Sequence, residues 1–150
     1  NGKIKENISF PSFKFNELVK EDWENSSIKE LVENKFLFVF YKKEKGNVKL
    51  EKSIFWNLNS KDLDEFERVF ERTKLVIKKG NIVKEISNKG IVRNNFPKTS
   101  ESYLSHIRPH GQNRNDTYPL PISDKKTNKT EFTKQSFWIN SSYVEGIYKS

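Results

Sequence analysis

The chain has 150 residues, 33% of them hydrophobic, with 28 Lys or Arg against 20 Asp or Glu and a formal net charge of +8. That length suits one core rather than two domains of ordinary size, and twelve Phe, five Tyr and three Trp place the chain among globular sequences. The lack of Cys excludes disulfides, thiol catalysis and Cys-based zinc sites; no apolar run reaches the roughly 18–20 residues of a membrane span, and no signal peptide opens the chain.

A disulfide-free, lysine-rich composition fits a cytoplasmic protein. The chain also lacks Met, so Asn1 is expected to be an internal residue of a longer protein. The basic excess lies away from the start: residues 1–35 carry a net charge of −1, and residues 93–150 carry +4. Such a balance suits an anionic partner such as nucleic acid, and it equally suits a surface that is merely soluble.

In chain order, Asn1-Gly2-Lys3 predicts a turn and Lys5–Phe10 a short strand. Phe13, Phe15, Leu18 and Val19 lead into a helical turn ending near Trp23. Ser27-Ile28-Lys29-Glu30 has the form of a capping box, predicting a helix from Ile28 to Asn34 with Ile28, Leu31 and Val32 on one face. Phe36–Tyr41 is apolar without alternation, as expected of a strand buried on both faces. A polar turn over Lys42–Asn47 and an antiparallel partner strand over Val48–Leu58 follow. Ser60 is expected to cap a long helix, Lys61–Lys79, with Leu63, Phe66, Val69, Phe70 and Ile77 on one stripe. Gly80 suits its C′ position, and Lys74, Lys78 and Lys79 suit its negative end.

Residues 80–101 read as loop. Tyr103–Arg108 reads as a strand stopped by Pro109, His110–Thr133 as a long polar segment without period, and Gln135–Ile139 as the last strand. Asn140 is then expected to cap a helix from Ser141. The order is that of an α/β fold with one long, basic, late loop.

That loop holds the densest chemistry. Ser105-His106-Ile107-Arg108-Pro109-His110-Gly111-Gln112-Asn113-Arg114-Asn115-Asp116 is rich in groups that read base edges and phosphates. Arg can donate two bonds to guanine, and Asn or Gln can pair bidentately with adenine. Gly111 would let the backbone come close to DNA, and Pro109 would stiffen the strand exit. On composition alone, a solvated polar loop serves as well.

His106-Ile107-Arg108-Pro109-His110, followed by Thr133-Lys134-Gln135-Ser136-Phe137-Trp138-Ile139-Asn140 and a terminal helix, resembles the end of MutH-like proteins, and within them the Sau-type type II restriction endonucleases specific for GATC. Ile8-Ser9-Phe10-Pro11, Phe13-Lys14-Phe15, Asp22-Trp23-Glu24 with Ser26, and Phe36-Leu37-Phe38-Val39 occur in the same order there. The resemblance implies a restriction-endonuclease-like, MutH-type mixed sheet flanked by helices, with residues 1–150 forming a single DNA-binding domain in the C-terminal part of a longer protein.

It further implies that Arg108, Pro109, His110 and Gly111 lie in the major groove at GATC, with Gln112 and Arg114 in the same loop. Lys134 would contact phosphate. Trp138 takes the place of a Tyr that lies close to the adenine in the mismatch-repair branch; a core role for Trp138 stays open, because one of Phe137 and Trp138 has to be buried.

Family nucleases hold Mg²⁺ with an Asp and a Glu-x-Lys. Here Asp22 with Glu33-Asn34-Lys35 is the one tempting match, and Glu33 and Lys35 end a helix rather than lying in a strand. No catalytic or metal-binding residue is therefore expected in this chain, and Mg²⁺ is expected only for the parent enzyme. The Asp-Trp-Glu and His-Ile-Arg-Pro-His forms resemble the second, effector half of the Sau-type enzymes, whose partners would be GATC duplex and the catalytic domain of the same protein. A fragment of a catalytic nuclease, a His-based nuclease built on His106, His110 and Asn113, and a non-catalytic RNA-binding or interaction module remain as alternatives.

Overall fold

The computed structural model describes Ile4 and residues 6–150; the turn expected at Asn1-Gly2-Lys3, and Lys5 at the head of the first expected strand, lie outside them. From the rest of that strand only β1, Ile8–Ser9, enters a ladder. The chain then runs through α1 (Phe15–Leu18), a 3-10 turn at Trp23–Asn25 and α2 (Ser27–Val32). The cap of α2 is Ser26, one residue before the predicted box: its Oγ accepts from the Lys29 N–H at 3.2 Å. Ser27 instead gives its N–H and its hydroxyl to the Glu21 carboxylate. This register buries Ile28 and Val32, four apart on one face, and leaves Leu31 exposed.

β2 (Phe36–Glu44) and β3 (Asn47–Trp56) form an antiparallel ribbon. Lys45 and Gly46, both at positive φ (48° and 83°), make the two-residue turn that suits strand twist. The expectation that this strand is buried on both faces is wrong. Phe38 and Phe40 are buried and Phe36 packs beside them, but Leu37, Val39 and Tyr41 are 54%, 41% and 63% exposed, and Phe55, paired with Leu37, is 68% exposed. Among the described residues the ribbon has no third strand, so one apolar row faces outward.

α3 (Ser60–Lys78) is capped by Asn59 rather than Ser60, its Oδ1 accepting from the Asp62 N–H at 2.8 Å. Phe66, Val69, Phe70 and Ile77 enter the core as predicted. Trp23 stacks on Phe66 with ring centroids 6.2 Å apart. Lys74 leaves the helix end and donates to the Glu21 carbonyl at 2.5 Å. Gly80 follows at φ +65°, and a Cβ there would lie 2.8 Å from the Ser123 carbonyl oxygen. Both the left-handed turn and the close approach therefore require glycine.

The two segments expected to be structureless each contain a hairpin. β4 (Val83–Ile86) pairs with β5 (Val92–Asn94). After β6 (Ser105–Pro109), β7 (Thr117–Pro119) pairs with β8 (Glu131–Thr133). Asp124 pins the turn between those last two strands to β4. Its buried carboxylate accepts from the N–H groups of Val83, Lys126 and Thr127 at 2.9, 3.1 and 2.9 Å.

β9 (Gln135–Ile139) lies between β1 and β6 and is antiparallel to both. Ile8, Ile107, Phe137 and Ile139 occupy the core face of this sheet, with Phe137 against Phe66 at 5.6 Å. α4 (Ser141–Lys149) closes the chain. Asn140 stands at its N-cap but makes no side-chain cap; Asn7 Oδ1 accepts the Ser141 N–H instead, at 2.8 Å. The architecture is mixed α/β, built from small antiparallel sheets. No helix among the described residues is long and apolar enough to cross a membrane.

Asp62 ties several of these elements together. From the first turn of α3, its buried carboxylate accepts from Tyr103 Oη at 2.8 Å and from Tyr143 Oη at 2.6 Å. Trp56 Nε1 donates to the same Tyr143 oxygen at 2.9 Å. One carboxylate thus joins α3, β3, the approach to β6 and α4.

Candidate nucleic-acid interface

Alternation along β6 and β9 puts Ile107 and Phe137 on one face of the sheet, and His106, Arg108, Ser136 and Trp138 on the other. Register pairs His106 with Trp138 and Arg108 with Ser136. Phe137 therefore takes the core position, and Trp138 stays half-buried among polar groups. Its Nε1–H donates to the Arg108 carbonyl at 3.2 Å. The Arg108 guanidinium carbon lies 5.3 Å from the ring centroid, within cation–π range. His106 stacks on Trp138 at 6.3 Å and 21°, and His110 meets it at 5.4 Å and 57°.

His106 is only 3% exposed. Asn140 Nδ2 donates to the Ser102 carbonyl at 2.7 Å, so its Oδ1, 2.6 Å from His106 Nδ1, is the acceptor of that pair. The proton sits on Nδ1, and Nε2 is left buried without a partner among the described residues. Burial pushes the imidazole pKa down; the Asn140 bond opposes this, and the nearby Arg108 charge adds to it. With a folded pKa below the unfolded value of about 6.5, the neutral ring contributes stability above that pH, and this is lost as pH falls through the folded value. Wild type should therefore show a lower urea midpoint at pH 5 than at pH 7.5. His106→Gln should show a smaller difference between the two, and an equal difference would rule out this source.

The loop after β6 is an arch braced from inside. Asp116 receives Lys134 Nζ at 2.9 Å on Oδ1 and the Gln112 N–H at 3.1 Å on Oδ2. Both contacts, Lys134 first, hold its carboxyl below the usual range. The Lys134 ammonium also lies over the Tyr118 ring at 4.6 Å. Thr133 Oγ1 donates to the Arg114 carbonyl at 2.6 Å, and Ser12 Oγ to the His110 carbonyl at 2.7 Å.

Two residues expected at DNA have partners within the arch. A Cβ on Gly111 would lie 3.1 Å from the Asp116 side chain, so a larger residue there would crowd Asp116. Lys134, expected to contact phosphate, pairs with Asp116. Pro109 ends β6 opposite Gln135. Arg108, Gln112 and Arg114 are exposed, and none of them forms an ion pair among the described residues. The result is a main chain held at several points that carries the exposed side chains of Arg108, Gln112 and Arg114.

The contacts made by Ser12, Ser136, Asp116 and Asn140 are not legible in the sequence, because they depend on partners distant in the chain. One signal was available. His106-x-Arg108-x-His110 has the two-residue period of a strand, which puts all three side chains on the Trp138 face.

The carboxylates singled out for a metal site have other partners. Glu33 pairs with Lys29 at 3.1 Å at the end of α2, and Asp22 accepts from Asn25 at 3.2 Å. Among the described residues no three His, Asp or Glu side chains come together to hold a metal. Mg²⁺ therefore has no fitting donor set among them. His106 and His110 both spend Nδ1 inward with Trp138 between them, and Asn113 Oδ1 accepts from the Asn115 N–H at 2.8 Å. His106, buried and bonded inward, is therefore not placed as an exposed general base.

No protein-family model matches the chain. The chain is similar to the type II restriction enzyme Sau3AI of Staphylococcus aureus, 32% identical in an alignment of 168 residues that takes in 94% of this chain and 34% of that protein. It spans about a third of that relative's length.

Proposed function

We propose that this chain is a MutH-like module that binds double-stranded DNA at GATC, as the C-terminal, effector domain of a type II restriction endonuclease. The catalytic Asp and Glu-x-Lys, with their Mg²⁺, would belong to another part of the protein. The observation that carries this reading is the Trp138 face. A rigid sheet edge and a braced arch there display Arg108, His110, Gln112 and Arg114, the residue types that read base edges, around one half-buried aromatic. Similarity over nearly the whole chain to part of a restriction enzyme supports the same reading.

In this mechanism the basic surface near Lys42, Lys43 and the late loop draws in duplex phosphates. The arch enters the major groove with Arg108 leading. Trp138 backs the reading groups and holds the Arg108 guanidinium over its face. Lys134 and Asp116 keep the arch from collapsing as it leaves water.

Competition binding at fixed salt tests the proposal, using GATC duplex, a scrambled duplex of the same composition and the corresponding single strand. GATC duplex should compete best, by at least about tenfold over scrambled duplex. Equal competition by the two duplexes would remove the sequence-reading role, and a preference for single strand would point to an aromatic stacking module instead.

A further inference from the structure

His110 is the residue on the arch whose hydrogen-bonding polarity the surrounding protein sets. Its Nδ1 lies 3.2 Å from the Phe10 carbonyl oxygen and 2.8 Å from Ser136 Oγ. A carbonyl oxygen only accepts, so a bare Nδ1 would face Phe10 lone pair to lone pair. Nδ1 therefore carries the proton and donates inward. In the neutral ring Nε2 is then a pure acceptor. His110 is exposed, and Nε2 has no hydrogen-bond partner among the described residues.

The ring is also fixed in orientation. The His110 N–H donates to the Lys134 carbonyl at 2.9 Å, its carbonyl accepts from Ser12, and Trp138 flanks the ring. The neighbouring guanidiniums of Arg108 and Arg114 can only donate. His110 thus adds a rigid acceptor to a donor-rich surface.

We infer that His110 Nε2 accepts a hydrogen bond from an exocyclic amino group on a DNA base, and so separates amino from keto bases at one position of the site. This rests on the duplex-binding reading above. In the major groove such donors are the adenine N6 and cytosine N4 amino groups, whereas guanine O6 and thymine O4 would face Nε2 with a lone pair. Arg108 is suited to guanine and His110 to adenine or cytosine, so the two read complementary polarities from a single strand end.

The experiment measures affinity of the full chain for GATC duplex and for two analogues, one with purine in place of adenine and one with pyrimidin-2-one in place of cytosine. Each analogue lacks a single amino group. Wild type should bind one analogue about 3- to 10-fold more weakly, as expected for one lost hydrogen bond. His110→Asn places an amide donor where Nδ1–H was and removes the acceptor at the Nε2 position, which the shorter side chain does not reach. It should bind natural duplex about 3- to 10-fold more weakly and lose nothing further on that analogue.

If His110→Asn keeps both wild-type affinity and the analogue penalty, His110 is only a strut and the inference is overturned. The same follows if ¹⁵N chemical shifts place the proton of neutral His110 on Nε2. A wild-type protein with no preference for GATC over scrambled duplex overturns the duplex reading and this inference together. Preserved preference without coupling to His110 overturns the inference alone.

Discussion

Arg108→Ala is expected to weaken binding to GATC duplex by about 5- to 150-fold, or about 1–3 kcal/mol, while affinity for scrambled duplex changes far less. The size follows from the guanidinium fork, which can make two parallel bonds to one guanine. It also follows from preorganisation: Arg108 is exposed but lies 5.3 Å over Trp138, so less side-chain entropy is lost on binding than for a free arginine. Arg108→Lys keeps the charge without the fork and should recover the non-specific component, leaving most of the specific loss in place. An equal loss on both duplexes for Arg108→Ala would show that the residue contacts only phosphate, and the reading head would have to be placed elsewhere on the arch.

Asp62→Ala should destabilise the fold by about 2–4 kcal/mol, because it strips the acceptor from two phenols and leaves Tyr143 with only the Trp56 bond. Asp62→Asn, which retains one acceptor, should fall between the variant and wild type. The same hub predicts alkaline behaviour. Burial first, and then the bond to Asp62, push the Tyr103 and Tyr143 phenols well above their ordinary value. A raised folded pKa means stability that is fully present below the unfolded value of about 10 and is lost as pH rises above it. Denaturant midpoints at pH 7 and in a series above pH 10 measure both effects. A cost below about 0.5 kcal/mol for Asp62→Ala would mean that the hub is solvated well enough to be dispensable.

Long periodic elements were legible from the residues alone, because their pattern states where they must be buried. Phe66, Val69, Phe70 and Ile77 put α3 in the core before any contact is known. Its cap was misplaced by one residue, as was that of α2, because Asn59-Ser60 and Ser26-Ser27 each offer two competent oxygens in tandem. The Phe36–Tyr41 run misled for a different reason: a strand with an apolar outer row reads the same whether or not that row is covered. Strands of three or four residues such as β5, β7 and β8 carry too few side chains to show a period. At the interface, alternation along β9 meant that Phe137 and Trp138 had to divide between core and surface, but not which way. The packing of Phe137 on Phe66 decides it. Asp116, the shared neighbour of Gly111, Gln112 and Lys134, is recognisable as such only once the arch is folded.

The outer row of the β2–β3 ribbon has a bearing on solubility. Leu37, Val39, Tyr41 and Phe55 stand on a ribbon whose backbone edges lack a further strand among the described residues, which is the template that sheet growth needs. Lys42, Lys43, Lys45 and Lys49 crowd the turn end of the same ribbon and are exposed, so an identical ribbon approaching that end meets like charge as well as apolar surface. These lysines act as gatekeepers whose strength depends on the Debye length. At low ionic strength they keep chains apart, and at high ionic strength the screened ribbon becomes adhesive. The salt that would release this protein from a polyanion is therefore the same salt that invites it to pair with itself.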